Sequence, residues 1–198
     1  MAATKKTTTR RQGGATTDQD AIAVLKGDHA SVEELFAKFE KSGPRAFKTR
    51  ANLVSRMITE LSVHAAIEEA VLYPTCRQEL AGTEDEVLES LEEHHVVKWL
   101  LVELDGLDPE HERFHPKVAV LTELVRHHVR EEERQLFPAL RANLGKARLV
   151  ELGKELTNLR SNVPTRPHPR TPDTPPASLV PDVVAAVVDR ARGLVHAD

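Results

Sequence analysis

The chain has 198 residues, 40% apolar but only 4% aromatic, which suits one domain with an aliphatic core plus tails. Its single cysteine, Cys76, excludes an internal disulfide and fits a reducing compartment. No apolar run approaches the roughly 20 residues of a membrane span, and the first residues lack the apolar stretch of a secretory signal. A cytoplasmic protein with no membrane partner is therefore expected. Charge is unevenly spread. Residues 1–18 carry Lys5, Lys6, Arg10 and Arg11 against Asp18, whereas residues 19–160 hold 26 Asp/Glu against 19 Lys/Arg. Such an acidic body argues against nucleic acid as a specific partner.

Residues 1–17, Thr-rich and with Gly13-Gly14, read as a disordered basic arm. An apolar stripe then begins after the helix-capping residues Asp18 and Asp20: Ile22, Leu25, Val32, Phe36 and Phe39 lie on one face, and Gly43-Pro44 ends the helix. A second helix is predicted from about Phe47 to Tyr73, where Pro74 stops it. A third is predicted from about Thr83 to Leu104, before Asp105-Gly106. The fourth spans about Pro116 to Gln135, with a kink at Pro138. A further amphipathic segment follows over about Leu140–Leu159. Residues 163–181 hold seven of the twelve prolines and read as an extended strap, leading to a last short helix over about Asp182–His196. Four helices with short connections predict an all-α, antiparallel up-down four-helix bundle over residues 18–160, with additional C-terminal helices. Residues 161–198 form the strap and tail.

The chain repeats itself. His64-Ala-Ala-Ile-Glu68-Glu69-Ala-Val-Leu-Tyr-Pro74 returns 64 residues later as His128-Val-Arg-Glu131-Glu132-Glu133-Arg-Gln-Leu-Phe-Pro138, and Asp28-His29 returns 65 residues later as Glu93-His94. Four residues are a little over one helical turn, so each His and the Glu four positions on share a face. The repeat thus puts His29, His64, Glu68, His94, His128 and Glu132 on the apolar stripes of four helices. A lone histidine there is ordinarily a satisfied core residue. Six such groups are different, because each unpartnered buried polar group costs roughly 1–3 kcal/mol and a domain has only about 5–15 kcal/mol to lose. A metal satisfies them together. With no cysteine in the set, a thiolate zinc site is excluded; imidazole plus carboxylate suits iron, manganese or zinc. Six ligands fit two irons sharing Glu68 and Glu132 better than one zinc.

The order His29, His64-x-x-x-Glu68, His94, His128-x-x-x-Glu132, with Leu-Tyr-Pro74 and Leu-Phe-Pro138, resembles the hemerythrin-like HHE cation-binding domain over about residues 18–160. The proline-rich segment around Pro167 to Pro176 resembles the extension of some actinobacterial members. The resemblance implies a non-haem di-iron centre with carboxylate bridges and one open position for dioxygen or peroxide; for a sensor, nitric oxide or iron itself are further candidate ligands. It implies a binding or sensing protein or, alternatively, a catalase- or peroxidase-like enzyme acting on hydrogen peroxide. Oxygen-carrying members have a second histidine four residues after the one on the third helix, where this chain has Lys98, and an Asp five residues after the last histidine, where it has Glu133. Position four turns about 40° from the histidine and position five about 140°, which selects Glu132. Glu69 and Glu133 are expected to orient ligands or face solvent. His95 is the neighbouring alternative to His94, and alignment with His29 selects His94. Tyr73 and Phe137 are expected to pack the bundle end.

Overall fold

The computed structural model describes residues 19–170, which contain helices and no strand. The basic arm and the helix expected near residues 182–196 lie outside the described residues. The elements in chain order are α1 (Ala21–Lys41), α2 (Phe47–Ile67), α3 (Tyr73–Glu79), α4 (Glu84–Leu104), α5 (Phe114–Glu131), α6 (Phe137–Asn143) and α7 (Lys146–Leu159).

Local chemistry accounts for most boundaries. The Asp20 carboxylate accepts from the Ala23 amide at 2.8 Å and caps α1. Gly106, just past the end of α4, adopts φ +77°, a left-handed conformation that glycine alone takes without penalty. The helices α1, α2, α4 and α5 form the bundle. Short connections over residues 42–46 and 105–113 make α1/α2 and α4/α5 antiparallel pairs, within which His29 meets His64 and His94 meets His128.

The two prolines behave differently from the expectation that Pro74 ends its helix and Pro138 kinks one. Helix α2 runs into a π turn, Glu68–Leu72, closed by the Tyr73 amide donating to the Glu68 carbonyl. Helix α5 runs into a second, Glu132–Leu136, closed by the Phe137 amide donating to the Glu132 carbonyl. Each is an i→i+5 bond, one residue wider than an α turn. The extra residue makes room for the ring, and proline then sits in the first turn of a restarted helix, where its missing N–H costs nothing. Both chain segments continue for two further turns. The segment expected to be continuous over Leu140–Leu159 is broken at Leu144-Gly145.

The core is split in two. One apolar cluster, with Phe36, Phe39, Met57, Leu101 and Leu121, fills the end where α1 turns into α2. The other, with Leu25, Ile67, Leu72, Leu140 and Leu152, lies at the opposite end, where α7 packs across α1 and the first π turn. The histidines lie between them.

Helix α7 docks closely. A Cβ on Gly153 would stand 2.3 Å from the Gln19 carbonyl oxygen and 2.9 Å from the Ala21 amide nitrogen. Gly153→Ala gains about 1 kcal/mol of helix propensity, but it forces backbone apart at a cost of about 1–3 kcal/mol. The expected result is a lower melting temperature in differential scanning calorimetry. A rise would show that α7 is free to shift.

Candidate metal centre

Between the two apolar clusters, four imidazoles and two carboxylates converge. His29 Nε2 is 3.2 Å from Glu132 Oε2, and His64 Nε2 is 3.2 Å from Glu68 Oε2. His94 Nε2 is 3.4 Å from the same Glu68 oxygen and 3.2 Å from His128 Nε2. These atoms make two overlapping groups: His29, His64, Glu68 and Glu132, and Glu68, His94 and His128, each with its members within 4.8 Å of one another. Glu68 belongs to both. All six side chains are buried.

The second nitrogen of every imidazole is held by a carboxylate from a neighbouring helix. Nδ1 of His29 donates to Glu133 at 3.0 Å, of His64 to Asp28 at 3.4 Å, of His94 to Glu69 at 3.0 Å and of His128 to Glu93 at 2.8 Å. A carboxylate at Nδ1 puts the proton there and turns the Nε2 lone pair inward. The pattern has the two-fold symmetry of the repeat. The residue before each first histidine, Asp28 or Glu93, serves the second histidine of its own half. The Glu at position five, Glu69 or Glu133, serves the first histidine of the other half.

The first π turn accounts for both glutamates of its pair pointing inward, whereas in the second pair Glu133 is half-buried and paired with Lys26. In a regular α-helix, position five would be far round the barrel from position four. The extra residue in the turn brings Glu69 to 6% exposure beside Glu68 at 0%.

The donor set fits a cation. Among the described residues, His29 Nε2, His64 Nε2 and both carboxylate oxygens of Glu68 and Glu132 are buried without a hydrogen-bond partner. Two carboxylates within 4.8 Å repel by about 3–4 kcal/mol at an effective dielectric of about 20. Burial, then the neighbouring charge of Glu132, push Glu68 well above the usual carboxylate range. Glu132 is pushed up by burial too, but the closeness of His29, 3.2 Å away, and of His128 outweighs it and brings it to about 2. Burial, then the nearby His128 and Lys98, hold His94 well below its ordinary value, so it is a neutral imidazole with a lone pair to give. Burial likewise lowers His64. His29 goes the other way: burial lowers it, but Glu132 and Glu133 together raise it. Without a metal, protons must supply the positive charge that this cluster lacks.

Several surrounding residues carry more than the sequence revealed. Asp28 and Glu93 were visible as repeated positions, but their service to Nδ1 needed the packing. Tyr73 is fully buried with its hydroxyl 3.3 Å from His94 Nε2, so it faces the cluster rather than only filling the bundle end. Its repeat counterpart Phe137 stacks on His29 with ring centroids 5.7 Å apart. Lys98 is buried and donates to Glu69 at 2.6 Å. His95 points away, accepting from Trp99 Nε1 at 3.2 Å on the outer face of α4. Burial, then the Glu132 and Glu68 charges, push the Cys76 thiol up to about 12, which keeps it protonated.

The hemerythrin HHE cation binding domain profile matches residues 20–140. An uncharacterized hemerythrin-like protein of Schizosaccharomyces pombe is 26% identical over 175 residues, covering 88% of this chain and 85% of that one. A DNA nickase of Nostoc is 30% identical over 156 residues, covering 78% of this chain but 43% of that longer protein. The crystal structure of a hemerythrin HHE cation binding domain-containing protein from Mycobacterium kansasii shares the fold, with a TM-score of 0.61, 24% identity, and coverage of 72% of this chain and 85% of that one.

A raised carboxyl pKa destabilises the metal-free fold as pH rises. The penalty is absent below the ordinary value of 4.5 and grows above it, because the unfolded chain releases the proton first. Glu68→Gln removes that penalty. The metal-free variant is expected to match or exceed the metal-free parent at pH 7, by about 1–3 kcal/mol, and to gain less on adding metal. Chemical denaturation of both chains with chelator present measures it. A less stable metal-free variant would mean that the Glu68 carboxylate is satisfied by the protein alone.

Proposed function

Because the chain belongs to the hemerythrin HHE cation-binding family, we propose that its His/Glu cluster holds two non-haem irons and binds or reacts with dioxygen, peroxide or nitric oxide. In this reading His29, His64 and Glu132 would hold one iron and His94 and His128 the other; Glu68 would serve both, whereas Glu132, expected from the sequence to be shared as well, lies with the first group alone. The observation that carries it is Glu68's membership of both groups of converging donor atoms. Iron supplies a coordination position and the electrons for reaction with a small oxygen ligand.

The protein's own contribution is space, shielding and proton placement. On the histidine side lies a chamber of about 20 Å³, walled by the four histidines together with Val32, Leu61, Val97 and Val125 among others. It has room for one water-sized molecule and excludes larger organic substrates. The group of His94 and His128 has three donors against four in the other, which leaves that position the more open. Burial, then the Glu68 and Glu132 charges, keep the Tyr73 phenol protonated, so its O–H is available as a donor beside His94. The acidic balance of residues 19–160 favours small-ligand chemistry over the DNA cleavage named for the Nostoc relative.

About two irons per chain are expected by elemental analysis of protein from iron-replete cells. Glu68→Ala should lose both, and His94→Ala should damage the centre where His95→Ala does not. Glu69→Ala and Glu133→Ala should weaken iron affinity by about 10–100-fold, the usual effect of freeing a ligand's second nitrogen. One zinc per chain, or equal effects at His94 and His95, would defeat the assignment.

Lys98 stands where oxygen carriers have a further histidine, and its ammonium is tied to Glu69. The cage therefore keeps two buried carboxylates against four imidazoles, and anionic oxygen ligands favour the ferric state in a low-dielectric core. Stopped-flow mixing of the reduced protein with air-saturated buffer is expected to give rapid, irreversible oxidation. An oxygen adduct released intact on purging would restore oxygen storage as the function. Addition of peroxide on an oxygen electrode separates a sensor from an enzyme, since only the enzyme turns over many equivalents.

A further inference from the structure

The two halves of the repeat part company on their outer faces. Helix α4 and the second π turn leave a groove lined by Glu86, Glu89, Ser90, Glu93, Glu131 and Glu132, with Gln135 and Leu136 completing it; among the described residues no lysine or arginine lines it. At the matching place in the first half, Ala21, Val24 and Leu25 stand where Glu86, Glu89 and Ser90 stand in the second. Ile67, Val71 and Leu72 likewise replace Glu131, Gln135 and Leu136. That apolar face is covered by Leu149, Leu152 and Leu156 of α7. Among the described residues, one side of the centre is covered by a helix and the other presents the acidic groove.

The acidic side is graded in depth. Glu89 is exposed, Glu86, Glu93 and Glu131 are half-buried, and Glu132 at the floor is 3% exposed. Both Glu132 oxygens lack a hydrogen-bond partner, and Glu132 belongs to the metal cluster as well as to the groove. A merely solvated acidic face would not end on a buried, unpartnered carboxylate. The groove has an internal volume of about 20 Å³, the size of one water or one partly hydrated ion. Hard oxygen donors without cationic side chains among them concentrate divalent metal ions from solvent.

We propose that this groove is the entry route for ferrous ion, drawn in by Glu86, Glu89 and Glu131 and passed to Glu132. The proposal rests on the iron reading of the centre. It assigns uptake to one side of the bundle, away from the apolar chamber that receives the small ligand.

The test uses the full chain, stripped of metal and mixed anaerobically with ferrous ion, with uptake followed by competition against a coloured ferrous chelator. The triple variant Glu86→Gln, Glu89→Gln, Glu131→Gln is expected to load about tenfold more slowly, with a flatter salt dependence and the parent's final iron count. A second triple variant, Glu110→Gln, Glu112→Gln, Glu123→Gln, changes net charge equally at exposed positions outside the groove and should load like the parent. Equal rates for the groove variant and the parent would overturn the proposal, as would equal slowing by both variants. A reduced final count in the groove variant would also overturn it, by making those residues part of the centre. A parent that takes up no iron would instead defeat the iron reading, and that failure is seen before any variant is made.

Discussion

Two glutamates facing each other in an apolar bundle set the terms for everything around them. Glu68 and Glu132 have almost no solvent contact, and none of their four oxygens has a hydrogen-bond partner among the described residues. An ionised carboxylate in such surroundings costs several kcal/mol, and a pair costs more through mutual repulsion. Aliphatic side chains of similar volume would stabilise the same bundle without that expense. The chain keeps the carboxylates at the layer that divides its two apolar clusters, so the fold carries a local destabilisation that only a cation relieves. That is the physical content of a cation-binding domain: the polypeptide supplies negative charge and lone pairs, and the folding free energy of the rest holds them together.

Holding them requires a second ring of carboxylates. Asp28, Glu69, Glu93 and Glu133 each accept a hydrogen bond from one imidazole Nδ1–H, and each comes from a segment other than the histidine's own helix. The bonds therefore lock ring orientation and clamp adjacent helices together. They also link the centre outward, because Asp28 pairs with Arg160 at the end of α7 and Glu133 pairs with Lys26 on the surface of α1. Glu69 pairs with Lys98 inside the bundle instead. The duplicated halves thus share their inner arrangement and differ in how their outer carboxylates are neutralised.

Much of this was legible in the sequence because period and repeat are one-dimensional. The apolar stripes place the bundle helices to within a few residues, and the doubled His-x-x-x-Glu puts four of the six converging side chains on a common face. What a fixed period of 3.6 residues cannot reveal is a change of period. Reading Pro74 as a stop assumed α geometry up to the ring. The π turn removes that assumption, and the same turn brings Glu69 inward despite its position five residues from His64. The repeated Leu-aromatic-Pro was the available signal: a proline ten residues after each histidine, followed by more helix-forming residues, requires a wider turn rather than an end. Glu69 and Glu133 were expected to orient ligands or face solvent, but which imidazole each carboxylate serves was beyond reach, since each bond joins residues at least 25 positions apart and only packing relates them.

The differences between the halves are as informative as the likeness. At matching positions Tyr73 offers a hydroxyl beside His94, whereas Phe137 lays an apolar ring on His29. A duplicated cluster with identical surroundings would make its two groups of donor atoms alike. Here one position has four converging donors and a flat hydrocarbon neighbour, while the other has three donors and a buried O–H. Donor number and the placing of a hydroxyl therefore both differ between the two groups. The symmetry of the backbone makes a pair of sites, and the departures from it in Tyr73, Lys98 and the acidic face of α4 make them unequal.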